Sequence, residues 1–266
     1  LSVLRRRIIS GVAYGLISLA AVYLGGVSFL GVVLAMSLLA GREYQRMIAQ
    51  GGFRPLPGFQ YGLTAFLVLG AAVLSSDLVL GGLVLILVSS LAWQLIRVGG
   101  SERPFLDWTL SLSGSLYLGC LSGYFVRLRG LPDGLNWMIL ALAASWSCDS
   151  FAYMVGKQRG RRSFFPSVSP HKTCEGAVAG WLGATALVAL IGLVLGLPPL
   201  WSLGFGFATS LAAIAGDLVE SMIKRQMGVK DSGGLVPGHG GVLDRVDSLL
   251  FVVVVAYFYV ALVPGA

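Results

Sequence analysis

Four aspartates, Asp149, Asp217, Asp244 and Asp247, lie inside or at the edge of long apolar runs in the second half of the chain. A carboxylate at mid-span in a bilayer costs about 2.5 to 3.5 kcal/mol even on a lenient insertion scale, so acids placed this way are candidates for function. Asp217 heads a series with Glu220, Ser221 and Lys224 at i, i+3, i+4 and i+7, which a helix puts on one face. Glu220 and Lys224 could instead be a plain helix-end ion pair worth roughly a few tenths of a kcal/mol, a reading that leaves Asp217 unexplained. Between Lys224 and Arg245 come Arg225, Lys230 and His239, interspersed with Gly233, Gly234, Gly238, Gly240 and Gly241. Cations beside glycines, whose backbone N–H groups can approach closely, make a good host for phosphates, although a solvated basic loop would carry the same residues. Carboxylates next to such cations suit Mg²⁺ bridging to the phosphates of a nucleotide, because Mg²⁺ keeps few protein ligands. Zinc is disfavoured: two histidines and the scattered Cys120, Cys148 and Cys174 offer no ligand spacing, and the cysteines read as small buried hydrophobes. His239 could act as a general base, but a phosphate nucleophile is already ionised near neutral pH and needs none.

The elements that must position these residues are membrane helices. Only 12% of the 266 residues are charged and 56% are hydrophobic, against about 25% charged in an ordinary soluble domain, so the apolar surface exceeds what one core could hide. The runs are long enough to cross a hydrocarbon layer of ~30 Å at ~1.5 Å per residue. The expected fold is all-α, a polytopic integral membrane protein with about nine transmembrane helices near 8–25, 27–45, 58–75, 78–97, 107–126, 134–155, 175–196, 200–222 and 243–263. Arg5-Arg6-Arg7 before the first run could belong to a signal peptide; without a convincing cleavage site it reads as a retained span.

Lys and Arg crowd the cytosolic loops of membrane proteins. With the N-terminus cytosolic, all but Arg127 and Arg129 of the 19 basic residues fall on the cytosolic side. The net charge of +7 is then a matter of topology and anionic ligands, and gives little support to nucleic-acid binding. In this threading Asp149 and Asp217 lie about two turns from the cytosolic ends of their spans, and Asp244 and Asp247 lie in the first turns of the last. Three helices thus deliver carboxylates to one side and similar depth, and one acidic pocket just below the cytosolic interface is expected. Residues 1–130, spans one to five, read as scaffold, with Glu43, Asp77, Glu102 and Asp107 in loops or at span ends. Residues 131–266, spans six to nine, read as the catalytic region, with cytosolic loops 156–174 and 223–243.

The stretch from Ser221 to Asp247, with Lys224, Arg225, Lys230, Asp231, Pro237, His239, Gly240, Gly241, Asp244 and Arg245 at their positions, closely resembles the C-terminal signature of phosphatidate cytidylyltransferases, also called CDP-diacylglycerol synthases. Val236 replaces the usual Leu, Ile or Phe. Ser169-Pro170-His171-Lys172-Thr173-Cys174-Glu175-Gly176 is similar to that family's Ser-Pro-Lys-Lys-Thr-Trp-Glu-Gly, with His171 for a lysine and Cys174 for the tryptophan. Asp149, Ala152 and Tyr153 match a shorter Asp-x-x-Ala-Tyr segment. The resemblance implies attack of phosphatidic acid on CTP, releasing pyrophosphate, with Mg²⁺ and a second cation such as K⁺. It implies Asp217, Asp244, Lys224 and Arg245 as catalytic residues. Asp217 and Asp244 would be the metal ligands, with Asp149 and Asp247 as lesser candidates. Ser169, Lys172, Glu175, Ser221, Arg225, Lys230, Asp231, His239, Gly240 and Gly241 would bind substrate. A homodimer in the cell (inner or plasma) membrane, with its active site facing the cytosol, is likewise implied.

Two rivals have sequence counterparts. A CTP-dependent kinase of a polyprenol or phytol would use similar parts but attack the γ-phosphorus; the full Ser221–Asp247 match argues against it. A secondary transporter could hold intramembrane acids, yet no inverted repeat is visible and the acids gather at one side instead of the midplane. A CDP-alcohol phosphotransferase lacks its Asp-Gly-x-x-Ala-Arg pattern here.

Overall fold

Backbone polar groups in hydrocarbon must be bonded within the segment, and the apolar runs meet that demand as helices. The structure, a computed structural model, describes residues 3–96, 100–235 and 240–262. The described residues form two compact units, one of residues 1–127 and 226–244 and the other of residues 128–225 and 245–266. Residues 226–244, grouped with the C-terminal region in the sequence reading, thus belong to the unit that holds the first five helical runs.

The first unit contains α1 (Val3–Leu24), α2 (Gly26–Gln50), α3 (Pro57–Val73), α4 (Ser76–Ile96) and α5 (Pro104–Ser115). α5 continues through a π-turn, Leu116–Cys120, into α6 (Leu121–Arg129), whose last two residues fall in the second unit. Gly25 and Gly26 both have positive φ, 64° and 52°, which allows α1 and α2 to be joined with almost no loop. Pro57 and Pro104 open α3 and α5, where the missing N–H costs nothing. Asp107, 2% exposed, accepts the Arg54 amide at 2.8 Å and the Ser101 hydroxyl, tying the start of α5 to the segment before α3.

The second unit contains α7 (Gly134–Arg159), a two-stranded hairpin of β1 (Ser163–Phe165) and β2 (Ser169–Thr173), α8 (Cys174–Val194), α9 (Pro199–Gln226) and α10 (Leu243–Leu262), the last two each continuing by a residue or two into the first unit. α7 and α8 pack backbone to backbone: a Cβ on Gly180 would stand 2.7 Å from the Cys148 carbonyl, and one on Gly176 2.8 Å from that of Ala152. Small residues at such crossings are how helices associate in lipid. At one end of the unit Trp137, Trp201 and Tyr259 join α7, α9 and α10, with centroids 4.6 Å and 4.9 Å from the Trp201 ring.

Each expected span has a helix beneath it. Six helices, α2, α4, α7, α8, α9 and α10, are long and apolar enough to cross a membrane, while α3 and the apolar part of α1 are shorter. The protein is thus an all-α, multi-pass membrane protein, with one hairpin among the described residues where the 156–174 loop was expected.

Candidate active site

The hairpin is short but firmly placed. Its strands pair antiparallel, Ser163 with Thr173 and Phe165 with Ser169, and the Val168 amide closes the turn on the Phe165 carbonyl at 3.1 Å. Thr173 caps α8 by accepting the Gly176 amide at 3.2 Å. The Glu175 carboxylate turns back to the amides of Arg161 and Arg162, at 3.1 and 3.3 Å, and fastens the entry to β1. Arg225 on α9 donates to the Val168 carbonyl at 3.2 Å, holding the hairpin tip.

Between this hairpin and the helix ends lies a cavity of about 440 Å³. Asp149 and Lys157 on α7, Ser169, His171 and Lys172 on β2, and Asp217 on α9 form its polar side; Ala152, Tyr153, Phe164, Ala177 and Ile214 form its apolar wall. Lys172 is ion-paired to Asp217, each side chain about one-third exposed, so the pair is open to a ligand. Gly216, beside Asp217, permits the close approach of α10: a Cβ there would stand 2.6 Å from the Asp247 carbonyl. Asp247 is buried and accepts the Ser248 amide at 2.7 Å.

One turn beyond Asp217, Glu220 and Lys224 form an ion pair at 2.5 Å, as the alternative reading expects, but the pair is buried and not a solvated helix-end contact. Ser221 beside them is buried. Ser221, Lys224, Arg225 and Glu175 do not line the cavity around Lys172 and Asp217. Arg245 falls in the second unit.

The rest of the signature belongs to the first unit. Asp244 accepts the Gly241 amide at 2.7 Å and the Ser232 amide at 3.1 Å, the first of these a reach back of three residues like that of a capping box. Gly240 has φ +82°, a conformation that favours glycine. Lys230 and Asp231 are exposed. His239 lies outside the described residues. Four of the expected residues, Asp149, Ser169, Lys172 and Asp217, are thus brought to one cavity, and Asp244, Gly240 and Gly241 to one turn.

Two residues that the sequence does not single out, Lys157 and Glu43, stand in these clusters. Lys157, two residues before the end of α7, lines the cavity, whereas in the sequence it counts only among the basic residues of the cytosolic side. Glu43 had been read as a span-end acid; α2 runs on to Gln50 and buries it completely, against Ser232 and Leu243.

Magnesium was expected. Among the described residues no three His, Cys, Asp or Glu side chains stand close enough together to hold a metal ion. Mg²⁺ asks for less, one or two carboxylates with phosphate and water completing its shell, and the partly exposed Asp217 carboxylate fits that role.

The chain matches the Cytidylyltransferase family over residues 5–263. It is 33% identical to the phosphatidate cytidylyltransferase of Synechocystis over 97% of this chain and 96% of that protein. With the enzyme of the same name from Brucella abortus it shares 32% identity over 98% of this chain and 95% of the relative. The phosphatidate cytidylyltransferase of Bacillus subtilis is 44% identical over 151 residues, 56% of each chain. A match spanning nearly the whole length, with relatives aligned end to end, places this chain in the cytidylyltransferase family.

Proposed function

We propose that the protein is a phosphatidate cytidylyltransferase, joining CTP to phosphatidic acid to give CDP-diacylglycerol and pyrophosphate. Membership of the family supports the reaction, and one observation supports its place: the Lys172–Asp217 pair sits in a cavity with an apolar wall of Tyr153, Phe164 and Ile214. Such a cavity suits a substrate that is lipid at one end and phosphate at the other.

A phosphate oxygen of phosphatidic acid attacks the α-phosphorus of CTP. The new P–O bond forms as the bond from that phosphorus to the oxygen bridging to the β-phosphate breaks, and pyrophosphate leaves with the electron pair. No proton has to be removed, so the site needs no general base. Its task is to bring anions together in line and relieve their repulsion. Lys157 and Lys172 supply positive charge at the cavity, and Lys224, Lys230 and Arg245 are assigned to the same task from the signature. Asp217 and Asp244 would be the residues to hold magnesium, which would supply further positive charge to the triphosphate, and a second cation such as K⁺ would add to it.

The threading belongs to the proposal too: nine spans, a cytosolic N-terminus and a cytosol-facing site in the cell membrane, resting on the distribution of Lys and Arg. The homodimer rests on the resemblance alone.

Purified protein incubated with phosphatidic acid, Mg²⁺ and CTP labelled at the α-phosphorus should place the label in a lipid and release unlabelled pyrophosphate. Label appearing in lipid only from γ-labelled CTP would make the protein a kinase and overturn the assignment.

A further inference from the structure

Glu43 has no exposed surface, and its carboxylate holds the signature segment at two places, Ser232 and Leu243. Its Oε2 accepts the amide of Leu243, the first residue of α10, at 2.8 Å and the Ser232 hydroxyl at 3.4 Å. Two glycines make room for it. A Cβ on Gly233 would have as its three nearest neighbours the Oε1, Cδ and Cγ of Glu43, at 2.5 to 2.9 Å, and one on Gly241 would collide with Oε2. Glu43 Oε1 is buried with no hydrogen-bond partner among the described residues. Burying a carboxylate with one oxygen unmatched is costly, and such a group persists where something other than stability retains it.

We propose that Glu43 is a positioning residue for nucleotidyl transfer: from α2 it fastens Ser232–Gly233 to Gly241–Leu243 and so fixes how the segment presents Asp244. Asp244 itself accepts the amides of Ser232 and Gly241, so the two acids grip the same turn, Glu43 from within and Asp244 from the α10 side. Glu43 touches no substrate; it acts through the backbone that Asp244 shares. The inference rests on the cytidylyltransferase reading for its consequence but not for its geometry, and the test separates the two.

Amide exchange of detergent-purified protein reads the geometry without any turnover. Glu43→Ala removes the acceptor, and exchange at the Leu243 amide should rise roughly ten-fold or more, as expected when a buried amide loses its acceptor. Glu43→Gln keeps an acceptor oxygen and should hold exchange and kcat within a few-fold of wild type. Glu43→Ala, matched for folded monodisperse protein, should lower kcat roughly ten-fold or more with the KM for CTP little changed. Gly233→Ala should be damaging with Glu43 present and add almost nothing in the Glu43→Ala background, because the methyl group then enters the vacated space. Unchanged Leu243 exchange in Glu43→Ala, or an equal cost of Gly233→Ala in both backgrounds, would overturn the fastening. Glu43→Gln as impaired as Glu43→Ala, with both folded, would also overturn it, since charge and not an acceptor would then be required. Wild-type protein that makes no CDP-lipid sinks the enzymatic reading and leaves the exchange result to decide the geometry.

Discussion

The Lys172 ammonium on β2 is ion-paired to the Asp217 carboxylate on α9, so a cation of the hairpin and an acid of a membrane helix hold each other across the cavity. Both ends are about one-third exposed, where such a pair adds little to stability. On the proposed function, an incoming phosphate would take the lysine and a hard cation the aspartate.

Lys172→Met should therefore leave thermal stability nearly unchanged and cut turnover roughly 100-fold, the scale on which removal of one preorganised charge-stabilising group acts. Thermal melts and initial rates on the same detergent preparation check it. A strongly destabilised but fully active variant would reverse the assignment.

Asp217→Asn and Asp244→Asn should each abolish most activity in folded protein if the two serve one cation, and the double variant should be little worse than the poorer single. Rates that fall multiplicatively in the double variant would separate their roles. Isothermal titration of Mg²⁺–CTP gives a second readout, with each single variant losing most of the binding heat.

The sequence made the acid-bearing helices legible because an aspartate in an apolar run is conspicuous whatever surrounds it: Asp149 and Asp217 line one cavity. The hairpin was illegible for a physical reason. β1 has three residues and β2 five, one of them Pro170, so alternation never runs long enough to be distinguished from a loop. The π-turn at Leu116–Cys120 leaves no mark in an apolar run. Glu43 was misjudged because its partner amide is 200 residues away in the chain, and no local pattern reports a contact of that separation.

The buried Glu220–Lys224 pair separates stability from catalysis. Lys224→Met removes the ion-pair partner of the buried Glu220 carboxylate, and breaking a buried pair in this way costs about 3 to 5 kcal/mol. Adding Glu220→Gln removes the charge that Lys224 offset and should recover most of the lost melting temperature. Turnover should stay low in both variants if Lys224 also serves the substrate; recovery of activity together with stability would confine Lys224 to a structural part.

Orientation is the last expectation, and it follows from the chemistry of the nucleotide. CTP carries too much charge to cross hydrocarbon, so it must reach the signature from water on the side where the basic residues lie, while phosphatidic acid stays in its leaflet. Gly234 and Ser76 are both exposed, and a Cβ on Gly234 would meet no atom within 4 Å, so a cysteine at either position is accessible and harmless to packing. In a background without Cys120, Cys148 and Cys174, Gly234→Cys and Ser76→Cys should react with a membrane-impermeant thiol reagent from opposite faces of sealed vesicles. Mg²⁺–CTP should slow labelling at Gly234→Cys and leave Ser76→Cys unaffected. Reaction of both from one face would undo the threading of α3 and α4, and protection of Ser76→Cys instead would move the nucleotide to the other side of the membrane.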